Sequence, residues 1–133
     1  RDKSVVEIKE ELDFLNSYIF LQKIRFGNNF SVEIKIDSTQ LNKLIPVIAL
    51  QTLVENCVKH NEISTQFPLM VRITNDDKYI YVTNNFQPKQ NTETSTGTGI
   101  INLKKRFSFF SEIAPEFYLE NNQYIAKIPM IEE

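Results

Sequence analysis

The chain has 133 residues, 41% of them hydrophobic and 24% charged, with a formal net charge of −2. That length supports one domain with its own core, and the balance is ordinary for a globular protein. It excludes the basic stripe with interleaved aromatics that a nucleic-acid partner requires, and no apolar run reads as a bilayer span or a signal peptide.

Ser4 and Glu7 have the spacing of a capping box and predict a helix start. From there Val5, Ile8, Leu12, Leu15, Ile19 and Phe26 recur at helical spacing, broken only at Gln22. A second stripe, Phe14, Tyr18 and Leu21, makes the apolar surface wider than a coiled-coil seam. This helix is expected to pack on its own domain or on a partner helix. Because the chain starts at Arg1 and runs almost at once into it, the sequence reads as a piece of a longer protein.

Gly27-Asn28-Asn29 ends the helix, and Phe30 to Ile36 alternates as a strand does. After the turn Asp37-Ser38-Thr39, Leu41 to Ile45 leads to Pro46, which is expected to open the next helix. Leu69 to Thr74 and Tyr79 to Thr83 predict a hairpin around Asn75 to Lys78. Asn85 to Ser95 is almost wholly polar and reads as a mobile loop. A helix from Gly99 to about Phe110 follows, then strands at Phe117 to Leu119 and Tyr124 to Ile128 around Asn121-Asn122. Segregated helices and antiparallel strands predict an α+β fold, a two-layer sandwich of one sheet with helices on one face.

Two stretches carry chemistry. Leu50 to Asn61, LQTLVENCVKHN, divides on a helix into an apolar face (Leu50, Leu53, Val54, Cys57, Val58) and a polar one (Gln51, Thr52, Glu55, Asn56, Lys59, His60). The single cysteine, Cys57, is on the apolar side and is expected to pack as a small hydrophobe. On the polar side a carboxylate, a carboxamide oxygen and two cationic or proton-carrying groups suit a bound metal-phosphate; a solvated polar face would look the same. Thr96 to Arg106, TGTGIINLKKR, places Gly97 and Gly99 before a helix, where the backbone can approach an anion and unpaired N–H groups face it. Lys104, Lys105 and Arg106 read as a solvated face, and Phe107, Phe109 and Phe110 as core or interface.

In this order and spacing the two stretches resemble the N box and the second glycine box of the GHKL ATP-binding domain, shared by gyrase, MutL and the histidine kinases. The upstream run EELDFLNSYIFLQKIRFGNNF resembles the segment before the N box in LytS-type sensor histidine kinases. The resemblance covers nearly the whole chain. It implies a Bergerat-type mixed sheet, with residues 1–29 as the end of the dimerisation and phosphoacceptor region and residues 30–133 as the catalytic domain. It further implies that Asn56 offers its oxygen to Mg²⁺ and that Glu55 orients or deprotonates the incoming group. Lys59 and His60 would meet phosphate, and Thr96, Gly97, Thr98, Gly99 and Ile100 would wrap it, with residues 85–96 as a lid. The implied partners are ATP, the chain's own dimerisation helix in a homodimer, and a response regulator. The implied location is the cytoplasmic side of a bacterial inner membrane that holds the full-length sensor.

Two departures stand out. The first glycine box normally reads DxGxG, its aspartate meeting the adenine amino group, whereas this chain has Val82-Thr83-Asn84-Asn85-Phe86. Asn84 can accept or donate, so weak ATP binding and poor discrimination against GTP are expected. Nor is there a phosphoacceptor histidine, since the one histidine, His60, belongs to the N box. A nucleotide-poor pseudokinase module and a GHKL ATPase clamp are the competing functions. The upstream run favours a kinase over the clamp.

Overall fold

The first apolar residues form a strand rather than a capped helix. In the computed structural model, which describes residues 3–89 and 97–132, β1 (Val5–Glu7) pairs antiparallel with β3 (Leu44–Pro46). The expected capping box is therefore absent: α1 (Ile8–Phe26) has Glu7 as its N-cap with no side-chain cap bond, and the Ser4 carbonyl accepts from Val47 N–H. Pro46 likewise closes β3 instead of opening a helix, and α2 (Ala49–His60) begins three residues later. Proline suits either site, and strand pairing across some forty residues decides between them.

The main sheet has the order β2-β4-β5-β7-β6, from β2 (Phe30–Lys35), β4 (Leu69–Asn75), β5 (Tyr79–Asn85), β6 (Glu116–Glu120) and β7 (Gln123–Pro129). β2 and β4 are parallel and the other pairs antiparallel, so the sheet is mixed. The parallel pair requires the chain to cross between β2 and β4, and α2 lies within that crossing. Between β6 and β7, Asn121 and Asn122 both take positive φ, 51° and 66°, which asparagine tolerates in tight hairpins.

Strand alternation sets which face is covered. Leu69, Val71 and Ile73 of β4, Ile80 and Val82 of β5, and Ala126 and Ile128 of β7 point into one core. α1, α2 and α3 (Thr98–Ser108) close it with Ile8 and Leu15, with Leu50, Leu53 and Val54, and with Leu103 and Phe107. The two apolar stripes of α1 separate only in part: Ile8 and Leu15 are buried and Tyr18 packs half-buried against the core, whereas Phe14 and Leu21 face outward.

The start of α2 is built unusually. Ile48, its N-cap, has φ 66°, a conformation that costs a β-branched residue about 1–3 kcal/mol. Glu11 of α1, 1% exposed, caps this helix from outside, accepting from the N–H groups of Ile48, Leu50 and Gln51 at 2.9, 3.0 and 3.4 Å. Burial raises its pKa, while those N–H groups and the nearby Arg106 pull the other way. Arg106 is thus not the solvated residue the sequence suggested: it is half-buried and donates to the Val47 carbonyl. Lys104 lies over the Phe117 ring.

Phe107 is fully buried and Phe109 is 80% exposed on the same short segment. Phe107→Ala is expected to lower unfolding stability by about 3–5 kcal/mol and Phe109→Ala by less than about 0.5 kcal/mol. Urea denaturation of the two variants beside the parent checks this, and equal midpoints for both would contradict the packing of α3.

Candidate functional site

Between α2, α3 and the sheet lies a cavity of about 250 Å³. Its apolar walls are Leu53 and Cys57 of α2, Val82 and Ala126 of the sheet, and Ile100 of α3. Asn56, His60, Asn61, Asn84 and Tyr124 supply its polar atoms, and Phe86, 39% exposed, stands at its rim. A largely apolar slot with a few converging polar groups is the usual form of a small-molecule site.

Four of the residues singled out in the sequence meet here: Asn56, His60, Asn84 and Ile100. Gly99 joins them from the side. A Cβ built on it would lie 3.8 Å from Thr52 Cγ2 and 3.9 Å from Asn56 Oδ1, so the N-terminus of α3 rests against the polar face of α2. Gly97 precedes α3 at φ 68°, a left-handed conformation that suits glycine, and its carbonyl accepts from Ile101 N–H. Thr98 opens α3 in an exposed position. Glu55 and Lys59 are exposed and do not line the cavity, and the Glu55 carboxylate accepts from Gln51 Nε2 at 2.8 Å. Thr96 and the lid residues 90–95 lie outside the described residues.

Asn84, 2% exposed, is not free to turn its amide. Its Nδ2 donates to the Asn85 carbonyl at 2.9 Å, and its Oδ1 accepts from the Cys57 thiol at 3.3 Å. The expectation that it presents either end is corrected accordingly: the oxygen faces Cys57. The first part of the expected mobile loop is also anchored. The Asn85 side chain accepts from Met70 N–H and donates to the Pro68 carbonyl and Gln87. Gln87 in turn donates to the carbonyls of Glu62, Phe67 and Pro68. Asn61, which the sequence did not single out, ties this loop to α2: it donates to the Cys57 carbonyl and accepts from Gln87 N–H, both at 2.9 Å. A buried asparagine just after a helix is a common cap, so nothing in its spacing marks it.

The titrating groups are shaped by burial. The Cys57 thiol is pushed up to about 12 and so stays protonated, able to donate to Asn84. Tyr18 of α1, half-buried, is likewise pushed up to about 12 by burial and then by Glu55 and Cys57. His60 is lowered by burial and by Lys59 and Lys89, which leaves a neutral imidazole at neutral pH. No cluster of three or more His, Cys, Asp or Glu that could cage a metal occurs among the described residues. An amide oxygen is a hard donor of the kind Mg²⁺ takes. The Asn56 carboxamide fits that use, because its Nδ2 is buried with no protein partner and the glycine beside it leaves its oxygen uncrowded.

No family model matches the chain. It is 24% identical over 135 residues to the sensor protein LytS of Enterococcus faecalis, covering 90% of this chain and 23% of that protein. The chain therefore spans about a quarter of that relative's length. Among solved structures, the cytoplasmic segment of the histidine kinase QseC superposes with a TM-score of 0.68 at 13% identity, covering all of this chain and 80% of that one. The catalytic domain of the histidine kinase ThkA gives 0.61 at 15% identity, covering 100% of both chains. The structures speak for the fold and the sequence relative for the resemblance: the chain has the fold of histidine kinase catalytic domains and is similar in sequence to LytS-type sensor proteins.

Proposed function

We propose that this chain binds Mg-ATP and passes its γ-phosphoryl group to a histidine on a dimerisation helix, from which a response regulator receives it. The observation that carries this reading is the cavity itself. It joins Asn56 and Asn84 across an apolar slot, with the glycine-led start of α3 packed on Asn56. Bound there, Mg-ATP supplies the transferable phosphoryl group. Asn56 Oδ1 would hold the metal, which prefers hard oxygen ligands and keeps several waters. The walls Leu53, Val82, Ile100 and Ala126 would enclose the base and exclude water from it, and Asn84 Oδ1 would accept from its amino group. His60, neutral, would donate one hydrogen bond to phosphate. Lys59 would act as a point charge outside the slot, with Gly97, Thr98 and Gly99 lining the phosphate path. Glu55, exposed beside Asn56, would orient or deprotonate the incoming imidazole.

In this reading residues 1–29 end the dimerisation region and residues 30–133 form the catalytic domain of a homodimeric sensor anchored in a bacterial inner membrane. No helix among the described residues is long and apolar enough to cross a membrane. The hydrogen bonds at both ends of the Asn84 amide favour one second reading, a pseudokinase-like module with little affinity for the base.

Calorimetric titration of ATP with and without Mg²⁺ separates the two. Asn56→Ala is expected to abolish most of the magnesium-dependent part of binding while the circular dichroism spectrum is kept. An unchanged magnesium dependence would remove Asn56 from the metal site.

Asn84→Asp is expected to raise the preference for ATP over GTP about fivefold, because a carboxylate only accepts and its bonds are about twice as strong as neutral ones. The same change sets a carboxylate against the Asn85 carbonyl and should lower stability by about 1–3 kcal/mol. A ratio of the two affinities that does not move would show that residue 84 does not face the base.

Incubated alone with Mg-[γ-³²P]ATP, the chain is expected to take up no acid-labile label. Label that appears and is lost on His60→Gln would make His60 an acceptor and overturn its assignment to the phosphate site.

A further inference from the structure

The chemistry above leaves one buried carboxylate unused. Glu11 reaches from α1 to the amides at the start of α2, and the residue it holds most closely, Ile48, is the strained one. Ile48 is 48% exposed, so side-chain packing does not pin it at φ 66°. What holds it is the bond from its N–H to Glu11 and the bond from Thr52 N–H to its carbonyl at 2.9 Å. Thr52 is also the residue whose methyl lies against Gly99, next to Asn56 Oδ1. A contiguous set of contacts thus runs from α1 through Glu11, Ile48 and Thr52 to the point where α2 meets α3. Arg106 braces the same corner from α3 through the Val47 carbonyl.

We propose that Glu11 is a positioning residue that makes the nucleotide-facing side of α2 depend on how α1 is seated. With α1 in place, the carboxylate satisfies three amides that the helix cannot satisfy itself and keeps Ile48 left-handed. When α1 slides or turns, the carboxylate leaves, Ile48 relaxes to negative φ, Thr52 loses its acceptor, and the contact of α2 with Gly99 opens. A helix that does not line the cavity would in this way set nucleotide affinity without touching nucleotide. The affinity part rests on the reading of the cavity as a nucleotide site.

The test uses the chain with Glu11→Gln, Ile48→Gly, and both together. Gln keeps the shape but weakens acceptance, whereas Gly adopts φ 66° without strain and loses an exposed side chain only. Glu11→Gln is expected to speed amide exchange about tenfold in the first two turns of α2 and to weaken Mg-ATP binding about tenfold, with secondary structure intact. The doubly substituted chain should recover most of both, a rescue that loss of packing at Glu11 would not give. No change in exchange in Glu11→Gln, or no recovery in the double variant, overturns the proposal. If Glu11→Gln does not fold, Ile48→Gly alone decides: it should melt no earlier than the parent, and an earlier melt refutes strain at Ile48 as the stored element. Failure of the parent chain to bind Mg-ATP refutes the nucleotide reading, and the exchange measurement still judges Glu11.

Discussion

A helix leaves its first amides unpaired, and when its start is buried something must meet them. In α2 the chain uses a carboxylate from another helix, Glu11, rather than a serine or aspartate at the N-cap. The arrangement has consequences throughout the domain. It fixes α1 to α2 at a polar point, and an ionisable group buried on α1 beside Ile8 and Leu15 tolerates little displacement. It also fixes where the polar face of α2 points, because rotation of the helix would break three hydrogen bonds together. Asn56 and His60 face the cavity in consequence, while Glu55 and Lys59 face out.

Much of this was legible from residue patterns. The division of α2 into two faces held residue by residue: Leu50, Leu53, Val54, Cys57 and Val58 are buried, and none of the polar set is. The hairpin β4–β5 and the Asn121-Asn122 turn follow from alternation and turn chemistry, both of which act over a few residues. What could not be read was long-range. The pairing of β1 with β3 joins residues some forty positions apart, and it overrode a capping signal at Ser4 and a helix-start signal at Pro46. Glu11 looked like one more acid in a charged first turn, since its partners lie 37 to 40 positions away. Arg106 shared a basic run with two exposed lysines, and only the carbonyl of Val47 distinguishes it. The polar tail of β5 read as loop because composition counts apolar anchors. Asn85 and Gln87 are anchored by hydrogen bonds instead.

That last point bears on the departure at Asn84. An asparagine where the first glycine box of GHKL domains has an aspartate looks, from the sequence alone, like decay of a binding site. The surroundings argue for a different arrangement. Asn84, Asn85, Gln87 and Asn61 form a run of side-chain amides linked to one another directly or through single backbone groups. An amide both donates and accepts, so such a run can be extended and closed at each end on carbonyls and N–H groups. A carboxylate accepts only and would interrupt it at the Asn85 carbonyl. The thiol of Cys57, kept protonated by burial, supplies the donor that the oxygen of Asn84 requires. Residue 84 is therefore asparagine in a setting built for asparagine, and the oxygen it holds toward Cys57 is fixed by its neighbours. The Asn84 end of the cavity is held by its neighbours, with a neutral acceptor where the first glycine box of GHKL domains has an aspartate.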